Sequence, residues 1–280
     1  MSSRNICIIG PRSSGKTTYL ASLACHQEHK IKHHKKSQFK IIPINENAEE
    51  LRDKAQNLLQ EGGEFEPTRI ALDENRNVRN LPFYHFTIKG KLHRFSAEQK
   101  FEITARDYPG EVFDDLANSK SLGEDKEGFV NDCFVDKAGC LMLLPGWERG
   151  SDSFYRDMIT NFLKLMDDEA EDQKETYKMA VVMSKCERGE IWPGRHEPEI
   201  DLFQVHLEET THYLRETIPK KNLKFFAIST FGVRGKNNPR PNRKDFVRAK
   251  GEPGSVLYAY GKRQWQPYNL IEPLYWLIRS

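Results

Sequence analysis

The chain has 280 residues, with 43 Lys and Arg against 41 Asp and Glu, and a net charge of +2 is too small to define a nucleic-acid or membrane surface by balance alone. With 38% hydrophobic and 30% charged residues it reads as a polar globular protein, long enough for one α/β domain with elaborations. Five cysteines without a C-x-x-C pair give no disulfide framework or zinc site. No apolar run approaches the roughly 18 residues of a membrane span, and the polar start is no signal peptide, so a reducing cytoplasm is the expected location.

The first predicted strand, Asn5 to Ile9, runs directly into Gly10-Pro11-Arg12-Ser13-Ser14-Gly15-Lys16-Thr17, and a helix is expected from Thr17 to about His29. Residues His26 to Lys40 hold five lysines and four histidines against one glutamate and read as surface decoration. No second ligand cluster supports a metal site there. A helix follows from Asn47 to Gln60, stopped by Gly62 and Gly63. The next two strands, Leu81 to Lys89 and Lys100 to Ala105, are separated only by Gly90 to Gln99. That is too short for a helical crossover, so they should pair antiparallel.

Further strands are expected at Gly139 to Leu144, Lys178 to Ser184 and Leu223 to Ser229, alternating with helices at Asp152 to about Glu171 and Asp201 to Thr217. An acidic stretch at Asp167 to Glu175 and a basic one at Arg234 to Lys250 read as solvated loops, and a last helix spans about Asn269 to Ile278. Such alternation predicts an α/β fold: a mostly parallel central sheet with one antiparallel strand and helices on both faces. One domain over residues 1–280 is expected, with an insertion at about 30–66 and a basic loop at about 231–254.

The chemistry is concentrated at three strand ends. The pattern G-x-x-x-x-G-K-[ST] between a buried strand and a helix is a phosphate-binding P-loop, which wraps backbone N–H groups around phosphate oxygens at a helix N-terminus. Its candidate ligands are Gly10, Ser13, Ser14, Gly15 and Thr18, with Lys16 as a point charge on the outer phosphates and Thr17 offering a hydroxyl to Mg²⁺.

The second strand end is Arg106-Asp107-Tyr108-Pro109-Gly110-Glu111. An aspartate beside a P-loop can hold Mg²⁺, and a glycine three residues later can give its N–H to a γ-phosphate without a side chain in the way. Loss of that phosphate releases the segment, a switch.

The third element comprises Ser184-Lys185-Cys186-Glu187 and Ser229-Thr230, where GTPases commonly carry N-K-x-D and S-A. Here Ser replaces Asn and Glu replaces Asp. The Glu187 carboxylate can still accept two N–H bonds from the guanine edge, and Lys185 can lie along the base plane.

These residues resemble the TRAFAC-class GTPases, which include the Ras-like proteins. More narrowly, GPRSSGKTTYL, the helix ending at Gly62 before Phe65-Glu66-Pro67-Thr68, and RDYPGE look like the prokaryotic double-GTPase family, second type. The resemblance implies that Thr68 is the switch I threonine that closes on Mg²⁺ and the γ-phosphate. It implies too that the protein works beside a partner, another GTPase or a signalling component, in a bacterial conflict or signalling module. The chain departs from Ras-like proteins at Glu111, where many place a water-orienting Gln, and at Arg12 and Ser13, which are glycines in typical members. Arg12 is either a cis-acting catalytic arginine or a solvent-facing side chain.

The expected activity is hydrolysis of GTP to GDP and phosphate with slow basal turnover, with Arg12, Glu111 and Thr68 as catalytic candidates. Thr17, Thr68 and Asp107 are the Mg²⁺ candidates, and Gly110, Lys185, Glu187, Ser229 and Thr230 complete the nucleotide set. The alternatives are a P-loop ATPase or small-molecule kinase, and a nucleotide-loaded scaffold with negligible hydrolysis.

Overall fold

A core of strands buried on both faces organises the molecule. The computed structural model describes residues 5–11, 13–25, 29–31, 34–64, 81–91, 97–106, 108, 110–118, 126–145, 151–235, 240–247, 251, 253–261 and 264–279. Strand β1 (Asn5–Ile9) is apolar from Ile6 to Ile9 and buried throughout that run, as a strand covered by helices on both faces must be. It pairs parallel with β5 (Gln99–Arg106) on one side and β6 (Lys137–Leu144) on the other. Beyond β6 lie β7 (Lys178–Met183) and β8 (Leu223–Ala227), both parallel.

On the other side β4 (Phe83–Lys91) runs antiparallel to β5, as expected from the short connection between them. The antiparallel side does not stop there. Strands β3 (His34–Pro43) and β2 (His29–Ile31) extend the sheet to the order β2-β3-β4-β5-β1-β6-β7-β8, so part of the stretch read as surface decoration is sheet. Lysines concealed it. From Gln38 to Lys40 only Phe39 points inward, and that one ring is 1% exposed.

Alternate strand residues feed two cores. Cys7, Ile9, Cys140, Met142, Val181 and Met183 face α3 (Gly110–Ala117), α4 (Lys126–Cys133), α5 (Ser151–Glu169) and α7 (Glu208–Thr217). Ile6, Ile8, Leu141, Leu143, Ala180 and Val182 face α1 (Lys16–Cys25), α2 (Glu46–Gln60) and α8 (Glu272–Ile278). All five cysteines are buried free thiols. Among the described residues no helix is long and apolar enough to cross a membrane.

The predicted helix from Asp201 to Thr217 is interrupted. A π-helical turn, Glu199–Phe203, passes into the short α6 (Gln204–His206), and the chain breaks at Leu207, whose fully buried side chain drops into the core. Helix α7 then starts afresh, its first N–H groups capped by the carboxylate of Asp152 on α5, which accepts from Glu209 and Thr210 at 2.9 Å each. Two helices were not expected: α3 lies within the predicted switch segment, and α4 follows it. The basic segment likewise contains a hairpin, β9 (Arg243–Val247) paired with β10 (Pro253–Leu257).

Candidate functional site

The phosphate loop leaves β1 at Gly10 and enters α1 at Lys16. Gly10 sits at φ +154°, and a Cβ there would lie 2.4 Å from the Leu143 carbonyl oxygen, so the loop can turn against β6 only without a side chain. Gly15 at φ +91° completes the turn. The Lys16 ammonium donates to the carbonyls of Gly10 at 2.7 Å and Pro11 at 3.2 Å, and it lies 5.0 Å from the centre of the Phe113 ring on α3. Ser13 is exposed at φ 58°, Ser14 is fully buried, and Thr17 and Thr18 are half-buried in the first turn of α1. Loop and helix terminus together form a concave set of donors suited to an anion.

Because β1 and β5 are parallel neighbours, the segment carrying the D-x-x-G motif begins beside the phosphate loop. Asp107 lies outside the described residues, as do Arg12 and Thr68, and of Gly110 and Glu111 only the backbone at the start of α3 is described. The residues on either side of Asp107 are firmly held. The Arg106 guanidinium donates to Asp132 of α4 at 2.6 Å and to the Leu81 carbonyl at 3.3 Å. The Tyr108 hydroxyl donates to the same Asp132 oxygen at 2.6 Å, and its ring packs edge-on against Phe129. Burial, with the negative charge of Asp132 beside it, pushes the phenol far above its ordinary range and keeps it a donor.

The ends of β7 and β8 complete the site. Ile228 N–H donates to Met183 O and Cys186 N–H to Ile228 O, so the loops holding Ser184 to Glu187 and Ser229 to Thr230 are stitched together. The Ser184 hydroxyl reaches across to donate to the Ser14 carbonyl at 2.7 Å, joining this pair of loops to the phosphate loop. Between them opens a cleft lined by Ser14, Gly15, Thr18, Ser184, Lys185 and Thr230 together with Ile228, Phe231 and Arg243.

Glu187 and Ser229 are not in that lining. They stand behind it, 3% and 0% exposed, with the Ser229 hydroxyl hydrogen-bonded to the carboxylate and accepting from Gly232 N–H at 2.8 Å. One Glu187 oxygen, Oε2, is buried without a hydrogen-bond partner. Burial raises the Glu187 carboxyl above its ordinary value, and the Ser229 bond only partly offsets this. An unpaired buried acceptor beside the cleft is an oxygen that a ligand N–H would satisfy.

Sequence reasoning missed Phe231, Arg243 and Asp132. Arg243 and Asp132 reach their places only through the hairpin and α4, and no local pattern marks either. Among the described residues no group of three or more His, Cys, Asp or Glu side chains is arranged to hold a metal ion.

A phosphate loop at the end of a central parallel strand, clasped to two further strand-end loops around a cleft, defines a P-loop nucleotide-binding protein. Residues 4–244 match the family model Double-GTPase 2; the chain belongs to that family and is a guanine-nucleotide-binding protein. No curated protein matches the sequence. Among solved structures, the signal recognition particle receptor SRb-GTP/SRX complex from Chaetomium thermophilum is similar at TM-score 0.35 and 10% identity, over 85% of this chain and 95% of that one. The S. cerevisiae Ski7 GTPase-like domain, bound to GTP, is similar at TM-score 0.43 and 14% identity, over 84% of this chain and 45% of that one.

Proposed function

We propose that the protein is a Mg²⁺-dependent GTPase that acts as a nucleotide-controlled switch beside a protein partner, another GTPase or a signalling component of a bacterial module. The observation that carries this reading is the shared cleft, lined by Ser14 and Gly15 of the phosphate loop and Thr18 of α1 together with Ser184, Lys185 and Thr230. A nucleotide spans those two sets, with phosphates on the loop amides and Lys16, the base against Lys185 and Thr230, and the Glu187 carboxylate behind that wall as an acceptor for the guanine N–H groups.

Thr17, Asp107 and Thr68 supply oxygen donors, the chemistry a hard divalent cation requires, and two of them follow the adjacent parallel strands β1 and β5. The cation would neutralise charge on the β- and γ-phosphates. Water adds to the γ-phosphorus as the bond to the β–γ bridging oxygen breaks, giving GDP, phosphate and a proton. Gly110 N–H accompanies the γ-phosphate and lets α3 move when it is lost. In this account Arg12, not Glu111, meets the charge that develops on the transferring group, because a carboxylate beside a γ-phosphate repels it.

Single-turnover hydrolysis of GTP tests the reading. Arg12→Ala should slow the reaction by about a thousandfold when a copurified partner is present, and far more than Glu111→Ala does. Unchanged rates in Arg12→Ala under every condition overturn the catalytic assignment. No hydrolysis by the parent, with GTP retained, makes the protein a nucleotide-loaded scaffold.

A further inference from the structure

We propose that Arg243, delivered by the β9–β10 hairpin, is a nucleotide-binding residue whose flat guanidinium stacks on the purine ring. The proposal rests on the reading of the cleft as the base site. Arg243 lies in a segment whose charge alone suggested a solvated loop, yet it contributes to the cleft wall beside Thr230 and Phe231. Its guanidinium lies 5.3 Å from the centre of the Phe231 ring, and its Nε donates to Asp245 Oδ1 at 2.5 Å. The side chain keeps 34% of its surface exposed, and the Asp245 bond holds it by its Nε edge.

The backbone beneath it is fixed before any ligand arrives. Asn242, 1% exposed, donates its N–H to Gly232 O at 3.0 Å and its amide to the carbonyls of Phe231 and Ala259, and it accepts from Ala259 N–H at 2.8 Å. These bonds fasten the start of β9 to the loop that follows Thr230, so Arg243 is held in register with the base loops. The positive charge of Arg243 also favours the ionised form of Glu187, which links the rim of the cleft to the acceptor behind its wall. A guanidinium is planar and weakly hydrated, and it stacks on π faces at little desolvation cost; an ammonium does so less well.

The test is the dissociation rate of fluorescently labelled GDP from the full chain, for the parent, Arg243→Ala, Arg243→Lys and Glu187→Ala. Competition by inorganic pyrophosphate and the melting temperature of the nucleotide-free protein are measured alongside. Stacking predicts that both Arg243 variants release GDP about tenfold faster. Pyrophosphate competition should stay at the parental level, and nucleotide-free melting should stay within about 2 °C. Parental release from Arg243→Ala overturns the proposal, and so does full rescue by Arg243→Lys, which would assign the effect to charge. An equal loss of pyrophosphate binding overturns it too, because the residue would then act on the phosphates or the fold. Parental GDP release from Glu187→Ala overturns the base-site reading itself, whereas an effect of Glu187→Ala with none from Arg243→Ala removes the arginine alone.

Discussion

The hydroxyl of Ser184 donates a 2.7 Å hydrogen bond to the carbonyl of Ser14, joining the end of β7 to the phosphate loop. Ser184 stands where GTPases commonly carry asparagine, and both Ser184 and Ser14 are buried, so the bond is made away from competing water. The shorter side chain suffices because β6 alone separates β1 from β7, and the loops leave the sheet side by side.

Ser184→Ala leaves a buried carbonyl short of a donor and should lower stability by about 1–2 kcal/mol in denaturant unfolding. It should also speed GDP release, since base loop and phosphate loop no longer hold each other. Unchanged stability together with unchanged release would mean that the contact carries nothing.

Glu187 makes nucleotide-free stability depend on pH in an unusual direction. Its carboxyl, ordinarily at 4.5, is raised by burial, so the folded state holds its proton more tightly than the unfolded chain. The group's contribution is greatest below 4.5 and falls as pH climbs from there through the raised folded value, then levels off. Glu187→Gln should lack this fall. Guanine N–H donors favour the carboxylate, so GDP affinity of the parent should rise over the same window. Calorimetric melts and GDP titrations from pH 4.5 to 8 check both slopes, and a parental stability that rises relative to Glu187→Gln contradicts the assignment.

Asp132 holds Arg106 and Tyr108, the residues that bracket Asp107. The pair's side chains are only 17% and 22% exposed for Arg106 and Asp132, so solvent screens the interaction incompletely. Asp132→Asn should cost about 1–2 kcal/mol of stability. Because it loosens the end of β5 and not the loops after β7 and β8, it should slow single-turnover GTP hydrolysis while GDP affinity in the absence of Mg²⁺ stays near the parent's. Loss of GDP affinity as large as the loss of rate would contradict that division.

The elements legible in the sequence are those whose local chemistry is distinctive. The run Ile6 to Ile9 followed by Gly10 and Gly15 marked a buried strand and a phosphate turn, and both are present, with the glycines at positive φ. A connection as short as the ten residues from Gly90 to Gln99 was enough to require the antiparallel pairing of β4 with β5. Strand β3 was hidden because its sequence is rich in lysine and one inward Phe39 is a weak signal. The break at Leu207 was hidden because helix periodicity continues through it, and the Asp152 cap comes from another helix. Arg243 was illegible for the same reason: its neighbours in the cleft are set by tertiary structure. Arg12, Thr68 and Asp107 rest on motif and resemblance alone.

Guanine selectivity at a P-loop site is tested by calorimetric titration of the nucleotide-free protein with GDP and with ADP, each with Mg²⁺, for the parent and for Lys16→Ala. The parent should bind GDP at least about a hundredfold more tightly than ADP, a difference of about 2.7 kcal/mol, and Lys16→Ala should bind neither measurably. Equal affinity of the parent for the two nucleotides, or parental GDP binding in Lys16→Ala, would contradict that reading.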